Sequence, residues 1–194
     1  RSREFWITFL PKIQQITPVL GQIGLNQFLQ AINRVERSKI RTEADEVTYN
    51  IHIIIRFEIE RDLFLGKIDV NDLPEIWNRK YEEYLGVEIK DDSEGIMQDT
   101  HWASGLYGYF PSYALGNIYD GQILEALNRD LPEWRSQLSQ GEIKEINSWL
   151  KEKIHSKGNC YDPEELIKIV TGNTLNPSLF INYLTDKYSK LYGF

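Results

Sequence analysis

Apolar residues recur at three- and four-residue intervals along most of the chain. Phe5, Trp6, Phe9 and Leu10 predict a helix within residues 1–16, and Pro11 falls where it is expected to bend or end that helix. After a turn at Pro18-Val19-Leu20-Gly21, the spacing of Leu25, Phe28, Leu29 and Ile32 predicts a short amphipathic helix. Residues 47–59 read two ways. Val47, Tyr49, Ile51, Ile53, Ile55, Phe57 and Ile59 alternate, as a strand buried on one face would. The run is long for one strand, no turn residue interrupts it, and Ile51, Ile54, Ile55 and Ile59 share a helical face that continues to Leu63. A single, largely buried helix over 47–63 is therefore the expectation.

Gly66 sits where a glycine closes that helix, and Asp72-Leu73-Pro74-Glu75 opens another whose apolar stripe is Ile76, Trp77, Tyr81, Tyr84 and Leu85, up to Gly86. Residues 115–127 predict a helix with Ile118, Ile123, Leu124 and Leu127 inside. Asp130-Leu131-Pro132-Glu133 starts the next, and Ile143, Ile146, Trp149, Leu150 and Ile154 mark a further one. Asp162-Pro163-Glu164-Glu165 places a proline and acids in a first turn, where the helix dipole favours them. Asn176-Pro177-Ser178 begins the last helix, with Phe180, Ile181, Leu184, Tyr188 and Leu191 on one side. The fold class is all-α. With no repeat and no low-complexity linker, residues 1–194 are expected to form a single helical domain.

Composition narrows the function more than the fold. Hydrophobic residues make up 41% and charged residues 26%, a balance that supports a packed core and excludes disorder as the main state. The formal net charge of -7, without a basic run, argues against a nucleic-acid partner. No apolar run approaches the ~20 residues that cross a bilayer, and no basic-then-apolar leader opens the chain, so no membrane partner is expected. The single cysteine, Cys160, excludes an internal disulfide and is compatible with a cytoplasmic location. His52, His101 and His155 lack the spacing of a metal motif, so no metal ligand is assigned.

The chemistry concentrates in residues 95–117. Gly95-Ile96-Met97-Gln98-Asp99-Thr100-His101-Trp102 is followed by Gly105 through Asn117, where Tyr107, Tyr109 and Tyr113 alternate with Gly105, Gly108 and Gly116. So much glycine is costly in backbone entropy for ordinary core, and so many aromatics are unlike a solvated linker. The stretch is expected to be a shaped loop that sets an imidazole and phenols beside a substrate, as acyl-transfer chemistry requires where charge develops on oxygen.

These residues carry a resemblance. Gly95 to Trp102 meets a Gly-x-x-Gln-Asp-x-His-Trp signature, Phe110 to Asn117 a Phe-Pro-x-Tyr-x-x-Gly-Asn signature, and Ile40-Arg41-Thr42-Glu43-Ala44-Asp45 an Ile-Arg-x-x-Ala-Asp signature. In order and spacing the chain is similar to the carboxypeptidase Taq family of zinc metallocarboxypeptidases, over essentially all 194 residues. The resemblance implies the helical C-terminal portion of a zincin-like enzyme, starting just after a His-Glu-x-x-His helix and a downstream glutamate that together hold zinc. It also implies that residues 47–63 are helical, a cytoplasmic homodimer, and a substrate peptide with a free C-terminus.

Within that resemblance, Arg41 would hold the substrate's terminal carboxylate, as a planar guanidinium suits. His101 would hydrogen-bond the substrate or the oxyanion. Tyr109 and Tyr113, with Tyr107 beside the substrate, would supply the phenol. Asp45 would support Arg41 through an i,i+4 pair, with helix capping as its rival. Gln98 and Asp99 would support the loop and His101. Zinc belongs to the full-length enzyme, and neither zinc nor activity is expected of this portion alone, whose partner would be the missing N-terminal part. A non-catalytic module that binds peptide C-termini, or a structural interaction domain, are the alternatives.

Overall fold

A computed structural model describes residues 1–194. Its regular structure is entirely helical: α1 (Arg3–Ile16), α2 (Leu25–Ile32), α3 (Tyr49–Phe64), α4 (Leu73–Leu85), α5 (Pro111–Asp130), α6 (Trp134–Ser139), α7 (Lys144–Lys153), α8 (Pro163–Thr171) and α9 (Pro177–Tyr192), joined by short 3-10 turns. The alternating segment is thus helical from Tyr49 onward, with Val47 and Thr48 in the turn ahead of it. No helix is long and apolar enough to cross a membrane.

The chain packs as two compact units, residues 34–116 and residues 1–33 with 117–194. In the first, α3 packs on α4 around Ile55, Ile59, Leu73, Ile76, Trp77, Tyr81, Leu85 and Ile89. Each large side chain enclosed there contributes roughly 1.5–3 kcal/mol. Asp72 and Pro74 open α4, and Gly86 ends it at φ 63, a left-handed conformation that costs glycine little. The buried face of α3 differs from the expected one. Ile54 is 45% exposed, while His52, Arg56 and Glu60 are buried alongside Ile53, Ile55 and Ile59. The helix turns part of its polar set inward because that set builds the site.

In the second unit, α1 packs on α6, and Ala126, Leu127, Trp134, Leu138, Trp149 and Val170 form a core joined by Phe5, Ile123 and Leu150. α1 runs through Pro11 without ending there. The carbonyl that loses its partner belongs to Ile7, which stands 42% exposed, where water can take the place of the missing N–H. Gly121 of α5 lies under α9, and a Cβ there would come within 2.7 Å of the Phe180 Cα. Gln122 fixes the same junction, donating to the Thr174 carbonyl and accepting from the Asn176 amide.

Candidate functional site

The site lies within residues 34–116 and begins with a bent segment. Gly95 is needed at the bend because a Cβ would meet the Ile89 Cγ2 at 2.9 Å and the Asp91 carbonyl at 3.3 Å. A 3-10 turn over Ile96–Gln98 follows, after which extended backbone at Asp99 turns its carboxylate inward. A second turn, Trp102–Ser104, closes at Gly105 with φ 73. The Phe-Pro signature is not loop throughout: Pro111 opens α5, so residues 111–117 are its first turns. Proline's missing N–H costs nothing at that position, which is why a helix can begin inside a segment read as loop.

Asp99 is the centre. Its Oδ1 accepts from Arg41 Nη2 at 2.6 Å, and its Oδ2 from Arg41 Nε at 3.0 Å and Arg56 Nε at 2.7 Å. Arg41 sits in a 3-10 turn over Arg41–Glu43, ahead of α3 rather than on it. It therefore pairs across 58 residues with Asp99 and not, as expected, with Asp45. Asp45 instead ties the turn ahead of α3, accepting from the amides of Glu36, Val47 and Thr48 and from the Thr48 hydroxyl. Burial works against ionisation of Asp99, but the hydrogen bonds from Arg41 and the charges of Arg56 and Arg41 outweigh it and hold the carboxyl below its ordinary range. Hydrogen bonding to Asp99, opposed by burial, raises the Arg41 pKa and keeps it charged.

Gln98 completes the clamp. Its Oε1 accepts from the Arg41 amide and from Arg56 Nη2, both at 2.9 Å, while its Nε2 donates to the carbonyls of Lys39 and Glu94. With all four hydrogen-bonding positions used, only one orientation of the amide fits. Arg56 is fully buried. It also donates to the Tyr81 hydroxyl and the His52 carbonyl, and it lies 4.5 Å over the Trp77 ring. His52 Nδ1 meets the same Tyr81 hydroxyl at 3.0 Å; burial, and then the charges of Arg56 and Arg41, push its pKa down to about 4.

His101 stands on the other side of Asp99, its Nδ1 3.7 Å from Oδ1 and its Nε2 3.1 Å from the Tyr113 hydroxyl. Arg41 lies 5.0 Å over the Tyr113 ring and hydrogen-bonds the Tyr49 hydroxyl at 3.1 Å. The Tyr109 ring is 5.7 Å from the imidazole and 46% exposed. Arg41, Asp99, His101, Tyr109 and Tyr113 thus come together. Tyr107 does not join them; it packs edge-on against Phe64 at the end of α3 and is 52% exposed. Glu60 holds the glycine-rich loop, its two oxygens accepting from the Gly108 amide and the Trp102 indole.

Arg56, Glu60 and Tyr49 were not singled out as site residues by sequence. Tyr49 counts there only among the apolar alternation. No group of three or more His, Cys, Asp or Glu side chains is placed to hold a metal ion. The zinc implied by the resemblance therefore does not fit among these residues, and no chemical step is derived through it.

The chain is 48% identical over 193 residues to Carboxypeptidase 1 of Bacillus subtilis, and 44% identical over 193 residues to Thermostable carboxypeptidase 1 of Thermus thermophilus. It covers 99% and 100% of itself in these matches but 38% of each relative, so it spans well under half their length. Among solved structures, the M32 carboxypeptidase from Deinococcus radiodurans superposes with a TM-score of 0.96 at 36% identity, over 100% of this chain and 39% of that one. Carboxypeptidase from Pyrococcus furiosus gives 0.93 at 37% identity, over 96% and 38%. The family described as Carboxypeptidase Taq (M32) metallopeptidase matches residues 1–188, and the chain belongs to it.

Proposed function

We propose that this chain is the part of a zinc-dependent carboxypeptidase that grips the last residue of a peptide and lends hydrogen-bond donors to its reacting carbonyl. The observation that carries this is the state of Arg41. Its Nε and Nη2 are fixed side-on by Asp99 and its Nη1 by Tyr49, which leaves one N–H on each terminal nitrogen unused. A guanidinium held rigidly, with two donors to spare, is ready for a second carboxylate without reorganisation.

Beside it, His101 hydrogen-bonds substrate, and the Tyr113 or Tyr109 phenol donates to the oxyanion that forms as water attacks the last peptide bond. Asp99 orients both Arg41 and His101, and Gln98 holds the segment that carries it. The ligands of the metal lie outside this chain's residues, so hydrolysis belongs to the full-length protein. A cytoplasmic homodimer acting on peptides with free C-termini is part of the same reading.

The test is steady-state hydrolysis by the full-length protein carrying Arg41→Lys or Arg41→Ala. Lysine keeps the charge and loses the fork, while alanine loses both. A charge-assisted contact is worth about 1.5–3 kcal/mol, so kcat/KM for free-acid peptides should fall about 10- to 100-fold in the alanine variant and less in the lysine variant. Equal losses on a C-terminally amidated peptide would refute the carboxylate role.

A further inference from the structure

Asp99 pairs with Arg41 so well that, taken as two residues, they would be electrically neutral. A neutral pair is a poor receptor for a carboxylate. The structure resolves this by placing a second guanidinium on the same anion. Arg56 reaches Asp99 Oδ2 through Nε at 2.7 Å and Nη2 at 2.6 Å, and it does so while fully buried. Two cations against one anion leave a single positive charge.

We infer that Arg56 is a positioning residue whose buried charge claims part of Asp99, so that Arg41 keeps its positive charge for the carboxylate of a peptide C-terminus. The inference rests on the carboxylate reading of Arg41 given above. Four observations support it. Arg56 is itself sealed from substrate, lying over Trp77 at 4.5 Å and within 5.4 Å of the Phe110 ring, so its effect must pass through Asp99. Its remaining hydrogen bonds, to Tyr81, the carbonyl of His52 and the Gln98 amide oxygen, go to neutral groups that take none of its charge. His52 is held uncharged by burial and by the two arginines, so no third cation dilutes the balance. Of the other buried acids in this unit, Asp45 is taken up by the amides of Glu36, Val47 and Thr48, and Glu60 by the Gly108 amide and the Trp102 indole. An unpaired cation buried this deeply is costly, and its pairing with Asp99 is what makes it tolerable.

The experiment compares four variants of the full-length protein: Arg56→Gln, Arg56→Lys, the double variant Arg56→Gln/Asp99→Asn, and Arg41→Ala. Each is assayed for KM on an N-acyl dipeptide and for inhibition by its C-terminal amide, with urea midpoints to confirm folding. Arg56→Gln should raise KM for the free acid about 10-fold or more and leave inhibition by the amide within about 3-fold. Arg56→Lys, which keeps the charge, should stay near the parent. Removing the anion as well, in the double variant, should restore much of the lost affinity, because Arg41 is then unopposed. If Arg56→Gln does not fold, Arg56→Met takes its place with the same expectation. A purely structural Arg56 predicts that the free acid and the amide weaken together and that the double variant is worse than the single; either result overturns the inference. If Arg41→Ala leaves the free-acid preference intact, the carboxylate reading itself fails. If Arg41→Ala abolishes it while Arg56→Gln does not change it, only the present inference fails.

Discussion

Arg41 and Asp99 face each other through a two-pronged ion pair, 2.6 Å from Nη2 to Oδ1, with side chains only 8% and 11% exposed. The pair joins two signature segments that lie 58 residues apart in sequence, so it belongs to the fold as much as to the chemistry.

The Asp99 carboxyl has an acid signature. Because its pKa in the folded protein is depressed, its stabilising effect is complete above the ordinary value of 3.8 and is lost as pH falls through the lower, folded value. Asp99→Asn should therefore be less stable than the parent by a constant margin from neutrality down to about pH 5, and the margin should close below about pH 4. Urea midpoints measured across that range check it.

His52 acts at higher pH and with the same direction of dependence. Its folded pKa of about 4 lies below the ordinary 6.5, so protonation favours the unfolded chain. Stability should be full above pH 6.5, fall between 6.5 and 4, and level off beneath, by at most about 3 kcal/mol. His52→Gln retains an acceptor for Tyr81 and should flatten this stretch of the curve, leaving only the steeper loss near pH 4 and below.

Glu60 offers acceptors to two donors, the Gly108 amide and the Trp102 indole. Glu60→Gln must turn its NH2 toward one of them, leaving a buried donor facing a donor at a cost of about 1–3 kcal/mol. Hydrogen exchange of the Gly108 amide should quicken, while amides in the middle of α8 and α9 should exchange at parental rates.

Gly121→Ala probes the other unit. The added Cβ would sit 2.7 Å from the Phe180 Cα, against backbone that cannot rotate away as a side chain could. α9 must shift, and overpacking of this kind costs about 1–3 kcal/mol. Gly116→Ala, on the same helix with open space around the new Cβ, is the control and should leave the urea midpoint close to the parent's or raise it slightly.

Much of the helical layout was legible because periodicity and caps agree, as at Asp72, Pro74 and Gly86 around α4. Misreadings came where one residue type served two ends. Pro11, expected to bend or end its helix, lies inside α1 without ending it, and Pro111, read as loop, begins α5. In the site, the signatures identified Arg41, Gln98, Asp99 and His101, but not who pairs with whom. Asp45, four residues from Arg41, looked like the natural partner, and only the tertiary fold brings Asp99 to it. Arg56 was hidden for a related reason: burying a cation is unfavourable until its anion is known, and the anion comes from 43 residues away.

The Gln98 amide has a consequence for how the protein folds. Its Oε1 closes one loop of 57 residues to Arg41 and another of 42 to Arg56, and its Nε2 ties in Lys39. No local helix formation can satisfy that amide; the segment around Gly95, the start of the unit and the middle of α3 must all have arrived. Such long-range closure comes late and carries its entropy cost before any bond rewards it. The receptor proposed for a peptide terminus would accordingly be all-or-none: a chain in which α3 and α4 have paired but residues 95–99 have not docked would have its helices and not the site.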